Sequence, residues 1–270
     1  MRNLVITASI LTLPFLTSQP VLAADELQPD GKWAVDFGED HCVAHRAYGS
    51  QDGPLRLVLR PSPIGDVMQL EIVDKATNWR AYQEKATLTL TNGEPLRLLQ
   101  LRYGTQGFQV RQVNLVREQS GRLAQSTSLG WSAHGQEFRF ALGSMASLMT
   151  TVEDCRLSLA EYWNGTPAKQ ALLQKPPSLM RPLDKVLSTE DYPWAAFLSR
   201  QSGAAGVVAL IDENGMMANC SVIEPSGIAV LDAQTCIILS KRAKFTPAIG
   251  ADGKPTKGIF TQRIRWEIPD

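Results

Sequence analysis

The stretch GVVALIDENGMMANCSVIEPSG, Gly206 to Gly227, sets the topology of the last third of the chain. Val207 to Ile211 is an unbroken apolar run of strand length. Asp212-Glu213-Asn214-Gly215 follows, and Asn-Gly is a strong short-range signal for a hairpin. Met216 to Ile223 returns as a second strand, and Ser226-Gly227 breaks it. Upstream, Tyr192-Pro193 opens a short helix, Trp194 to Arg200, since proline is tolerated in a first helical turn. Downstream, Leu231-Asp232 begins a longer helix, with Asp232 placed to cap it. Lys241, Arg242 and Lys244 put positive charge at its C-terminal end, where the helix dipole favours cations. Phe245-Thr246-Pro247 ends the helix and Ala251 to Pro255 forms a turn. Lys257 to Ile268 then alternates Ile259, Thr261, Arg263, Arg265 with Phe260, Gln262, Ile264, Trp266, as a long strand with one exposed face does. The predicted order is αββαβ over residues 188–270.

The first two thirds reads differently. Short apolar runs at Trp33–Phe37, Cys42–Tyr48, Leu55–Leu59, Val67–Val73, Ala86–Leu90, Leu96–Tyr103 and Phe108–Leu115 are separated by turn residues, and Phe138–Leu142 adds a last one. This spacing predicts a mainly antiparallel sheet or barrel. Met145, Leu148, Met149, Val152, Cys155, Leu159 and Tyr162 recur at three- and four-residue steps, an apolar stripe on one closing helix. Pro167, Pro176, Pro177 and Pro182 crowd the next stretch, so 164–187 is read as a linker with a brief helix at Ala168–Leu173. The fold class is α+β: a β-rich unit over 25–163, the linker, and the C-terminal unit.

Met1 to Ala23 has the anatomy of a secretory signal peptide: Arg2, the apolar run Leu4–Leu16, a polar turn, then Val21-Leu22-Ala23. The apolar run falls short of the about 20 residues that span a bilayer. Cleavage after Ala23 and a periplasmic protein are expected. Export makes the four cysteines disulfide candidates. Of the three pairings, the one within units, Cys42–Cys155 and Cys220–Cys236, is favoured over a zinc site, for which C-x-x-C spacing is missing. Lys plus Arg and Asp plus Glu are 27 each, which gives no electrostatic reason for a nucleic-acid partner.

The C-terminal pieces together resemble the TonB C-terminal domain family of Gram-negative bacteria. They are Tyr192-Pro193, Gly206, Asp212 to Gly215, Ser226-Gly227, Leu231-Asp232, Arg242 to Ala248, Asp252 to Pro255, and Ile259 to Ile268. Ala243 stands where the family usually has tryptophan, and Cys220 and Cys236 are not typical of it. The resemblance implies a binding role: capture of TonB-box-like segments of outer-membrane receptors by strand addition, main chain to main chain. The residues so implied are Gly258, Ile259, Thr261, Arg263 and Arg265 on the last strand, flanked by Tyr192, Pro193 and Trp194. Of Thr261 and Arg263, one backbone N–H is expected to face outward and the other inward. The same edge could instead build a homodimer. Without an anchor, a free TonB-like adaptor is expected rather than an energy transducer. A soluble enzyme or ligand-binding protein centred on the β-rich unit is the alternative. The sequence has no P-loop, G-x-S-x-G or H-E-x-x-H, and no cofactor is implied. His41 and His45 would lie about 13 Å apart along a strand, too far for one ion.

Overall fold

The structure, a computed structural model, describes residues 25–49, 55–76, 81–105 and 107–268. The signal-peptide segment lies outside them. Nine strands come first: β1 (Pro29–Phe37), β2 (Cys42–Tyr48), β3 (Leu55–Pro61), β4 (Met68–Lys75), β5 (Tyr82–Leu90), β6 (Leu96–Thr105), β7 (Phe108–Leu115), β8 (Ser128–Ala133) and β9 (Gln136–Ala141). They form one sheet in the order β1-β2-β3-β4-β7-β6-β5-β8-β9, with every neighbouring pair antiparallel. The sheet curls until its ends meet. The Leu27 N–H donates to the Arg139 carbonyl at 2.7 Å, and the Ala141 N–H donates to Leu27 at 3.0 Å. Leu57, Leu59, Leu70, Ile72, Leu88, Leu129, Trp131 and Phe140 fill the interior. The buried Trp131 indole donates to Gln100 at 2.7 Å, which satisfies its one polar atom.

Two elements here were not expected from the sequence. Helix α1 (Arg117–Ala124) joins β7 to β8, and β8 itself carries Ser128, Gly130 and Ser132 in place of an apolar run. His134 and Gly135 make the two-residue turn to β9, both with positive φ.

Helix α2 (Ala146–Tyr162) uses the predicted stripe to serve two cores. Leu148 and Val152 reach the barrel interior. One turn further, Cys155, Leu159 and Trp163 pack with Val208, Leu210 and Ile259 of the C-terminal unit. Cys42–Cys155 ties β2 to this helix, and the second bridge is Cys220–Cys236. The cysteines therefore pair as favoured.

The stretch 164–187 is built into the C-terminal unit. It holds α3 (Pro167–Gln170) and β10 (Ser178–Leu179), and Lys175 bridges Ile249. Then follow α4 (Trp194–Leu198), β11 (Gly203–Ile211), β12 (Met217–Glu224), α5 (Ala229–Arg242), β13 (Phe245–Thr246), β14 (Ala248–Ile249), β15 (Pro255–Thr256) and β16 (Gly258–Trp266). β10 pairs with β13, and β14 with β15. The central sheet is β12-β11-β16, all antiparallel. Its odd and even residues bury on opposite sides. Val207, Val222, Ile264 and Trp266 pack on Leu231, Ile238 and Leu239 of α5. Val208, Leu210 and Ile259 face α2 and the Cys42–Cys155 bridge. A sheet buried on both faces explains why β11 is apolar at nearly every position.

Asp232 does not cap α5 as expected. Ile228 holds the cap position, and Asp232 lies inside the first turn, where its carboxylate accepts from the Ser226 N–H at 2.8 Å and the Asn114 amide at 3.2 Å. It fastens both the entering loop and β7. Burial pushes its pKa up.

Candidate functional site

β16 pairs with β11 along all nine residues, Gly258↔Ile211 through Trp266↔Gly203. Among the described residues no strand pairs on its other side. Alternation places Ile264 and Trp266 in the core, where the Trp266 indole donates to Thr235 Oγ1 at 2.9 Å. Thr261, Arg263 and Arg265 are exposed. Arg263 lies 3.7 Å from Glu224 of β12, and Arg265 lies 3.5 Å from Glu267. Both are exposed pairs that cost little to separate.

The direction of the open edge follows from two carbonyls. Lys257 C=O accepts from the Asn164 amide at 2.7 Å, and Arg263 C=O accepts from the Gln262 side chain at 2.9 Å. Both are odd-numbered, and both partners lie off the β11 ladder. In an antiparallel strand, residues two apart point their backbone groups the same way. Thr261, Arg263 and Arg265 therefore aim N–H and C=O outward, and Gln262 and Ile264 aim theirs at β11. The expectation that Thr261 and Arg263 point oppositely is corrected here.

The other predicted positions offer no side chain to this edge. Gly258 is buried, and a Cβ there would stand 2.7 Å from Pro177 and 2.9 Å from Ala248. Ile259 is 9% exposed, inside the core shared with α2. Tyr192 packs edge-on against Trp266 at 5.7 Å, and its hydroxyl donates to the Gln201 carbonyl. Pro193 caps α4, and Trp194 projects beside it at 68% exposure. Both line a groove walled by β12, α5 and the barrel, with nothing of β16 in it. Pro177 and α2 cover Gly258 and Ile259, Trp266 holds Tyr192, and Pro193 and Trp194 face the groove; local alternation carries no trace of such distant partners.

The opposite edge, β12, is approached by the barrel. Asn219 donates to the Asp40 carbonyl at 2.7 Å, and a Cβ on Gly65 would stand 3.4 Å from Ile223. Of the sheet's two edges, β16 is the accessible one.

Residues 189–268 match the family described as Gram-negative bacterial TonB protein C-terminal. The match spans α4 to β16 and leaves the barrel outside it. Neither a curated protein nor a solved structure matched the chain. The TonB C-terminal family serves envelope transport and is not an enzyme family. Among the described residues, no three His, Cys, Asp or Glu side chains group as a metal site, and no helix is long and apolar enough to cross a membrane. His41 instead sits between Asp40 and Asp36, at 2.6 Å and 3.2 Å.

Proposed function

We propose that the chain is a periplasmic TonB-like adaptor that captures an extended peptide along β16, in the manner by which TonB domains hold the TonB box of outer-membrane receptors. The observation that carries this is the nine-residue edge strand, paired on one side and open from Thr261 to Arg265 on the other. Such an edge supplies outward donors and acceptors, of which the Arg263 carbonyl is held only by the neighbouring Gln262 side chain, and an added strand can pair with them. The match to the TonB C-terminal family supports the same reading. Arg263 and Arg265 on the exposed face favour a peptide with acidic side chains at alternate positions. Residues 25–163 and 188–270 act as two units with 164–187 as the strap between them. The barrel holds the second face of the sheet, so the edge is offered on a rigid support.

The test is calorimetric titration of residues 25–270 with TonB-box-like peptides, for the wild type, Thr261→Pro and Gln262→Pro. Thr261→Pro removes an outward donor and is expected to weaken binding at least tenfold with the fold intact. Gln262→Pro removes a donor from the β11 ladder and is expected to lower stability itself. Unchanged binding in Thr261→Pro contradicts strand addition. A wild-type dimer that dissociates in Thr261→Pro, without peptide binding, assigns the edge to self-pairing.

A further inference from the structure

We propose that the groove between α4, α5, β12 and the outer face of the barrel is a binding site for an uncharged, largely apolar small molecule with one hydrogen-bonding end. The groove holds about 750 Å³, within the range of small-molecule sites. Three rigid walls form it. Leu101 and Tyr103 come from β6, Val222 from β12, and Leu198 and Ile237 from the two helices, with Trp194 at the rim. The Cys220–Cys236 bridge also lines it and clamps β12 to α5, so the shape is set before any ligand arrives.

Large apolar side chains stand exposed along this line: Trp194 at 68%, Leu198 at 62% and Ile237 at 42%. An isolated exposed leucine means nothing, but three lining one concavity form a patch. Charge selects the ligand class. Among the described residues, no lysine, arginine or glutamate lines the groove. Its one carboxylate, Asp232, is already engaged by Ser226 and Asn114. The other polar groups are the amides of Gln69, Gln112 and Gln234, the last already donating to the Asp191 carbonyl at 3.0 Å, and the Tyr103 hydroxyl, which donates to Gln112 at 3.4 Å. Burial raises the Tyr103 pKa, so this hydroxyl keeps the proton it gives to Gln112 at any physiological pH, and its oxygen is left to accept from a ligand hydroxyl. A charged head would lose its hydration here without gaining a partner. A neutral hydroxyl or carbonyl would not.

The test uses residues 25–270 and the neutral fluorophore N-phenyl-1-naphthylamine. Saturable binding of one probe per chain is expected, with a blue-shifted emission. Ile237→Glu places a charge at a half-exposed rim position that the fold tolerates, and is expected to weaken the probe at least tenfold. Leu198→Glu supplies an independent second variant. Monolauroylglycerol is expected to displace the probe at concentrations at least tenfold below laurate, and Thr261→Pro to leave probe binding unchanged. No saturable binding, equal displacement by laurate, or indifference to both rim variants overturns the proposal. So does a wild-type dimer, abolished by Ile237→Glu, that binds no probe, which would give the groove to a second copy of the chain.

Discussion

Gly215 shows how tightly a single position can be bound to the fold. Its φ is 76°, and a Cβ there would stand 2.2 Å from the Phe245 carbonyl oxygen. Asp212 closes the same loop by accepting from the Asn214 and Met216 N–H groups at 2.9 and 2.8 Å. Gly215→Ala therefore combines backbone strain with a clash against main chain, and should cost about 2–4 kcal/mol in urea unfolding. The Asp-Glu-Asn-Gly pattern announced this turn, although its clash with β13 could not be read locally. Asp191 behaves differently. Burial alone would raise its pKa, but the Arg242 guanidinium at 2.7 Å and the Ser188 N–H at 2.8 Å outweigh that, and the carboxyl is held below its ordinary value. A depressed folded pKa gives stability that is present above the unfolded value and lost as pH falls through the folded one. Arg242 is half exposed, so Arg242→Gln should cost only about 1 kcal/mol at pH 7. The gap between variant and wild type should close as the pH falls below the ordinary aspartate range. A gap that persists at acid pH would show that Arg242 acts through packing.

β16 illustrates what alternation can and cannot tell. Its inward residues Ile264 and Trp266 and its exposed residues Thr261, Arg263 and Arg265 were legible, because period-two patterning reflects one buried face. Truncating the two sides should separate accordingly. Ile264→Ala should cost about 2–5 kcal/mol as a core deletion. Arg263→Ala should cost under about 1 kcal/mol, since its pair with Glu224 is exposed. Similar costs for the two in thermal unfolding would contradict the assigned faces. The start of the same strand was not legible. Ile259 has the parity of the exposed residues but is buried by α2, a partner nearly a hundred residues away. The α2 stripe was read correctly as buried, yet only the fold shows that its two ends enter different cores. β8 and α1 escaped for the opposite reason: SLGWSA and REQSGRLA carry too few apolar residues for either period to stand out.

The proline-crowded stretch 164–187 suggested two separable units, but the packing joins them. Val208, Leu210 and Ile259 are covered by Leu159, Trp163 and the Cys42–Cys155 bridge. Residues 188–270 cut away from the barrel would expose that face, and should aggregate or bind hydrophobic dyes where 25–270 does not. A monomeric, dye-silent fragment would contradict the shared core. The Cys42–Cys155 bridge joins residues 113 apart, so the chain-entropy model assigns it about 4–5 kcal/mol. Cys42→Ser with Cys155→Ser should lower the unfolding midpoint of both halves together, because the bridge lies where they meet. The central claim is that β16 offers outward backbone groups to an extended peptide, and amide hydrogen exchange of 25–270 resolved by residue tests it most directly. The N–H groups of Thr261, Arg263 and Arg265 should exchange fast in the free protein and slow at least tenfold with a saturating TonB-box-like peptide, while Gln262 and Ile264 stay protected throughout. Peptide binding that leaves those three odd-numbered amides fast, or protects the even-numbered ones instead, would contradict it.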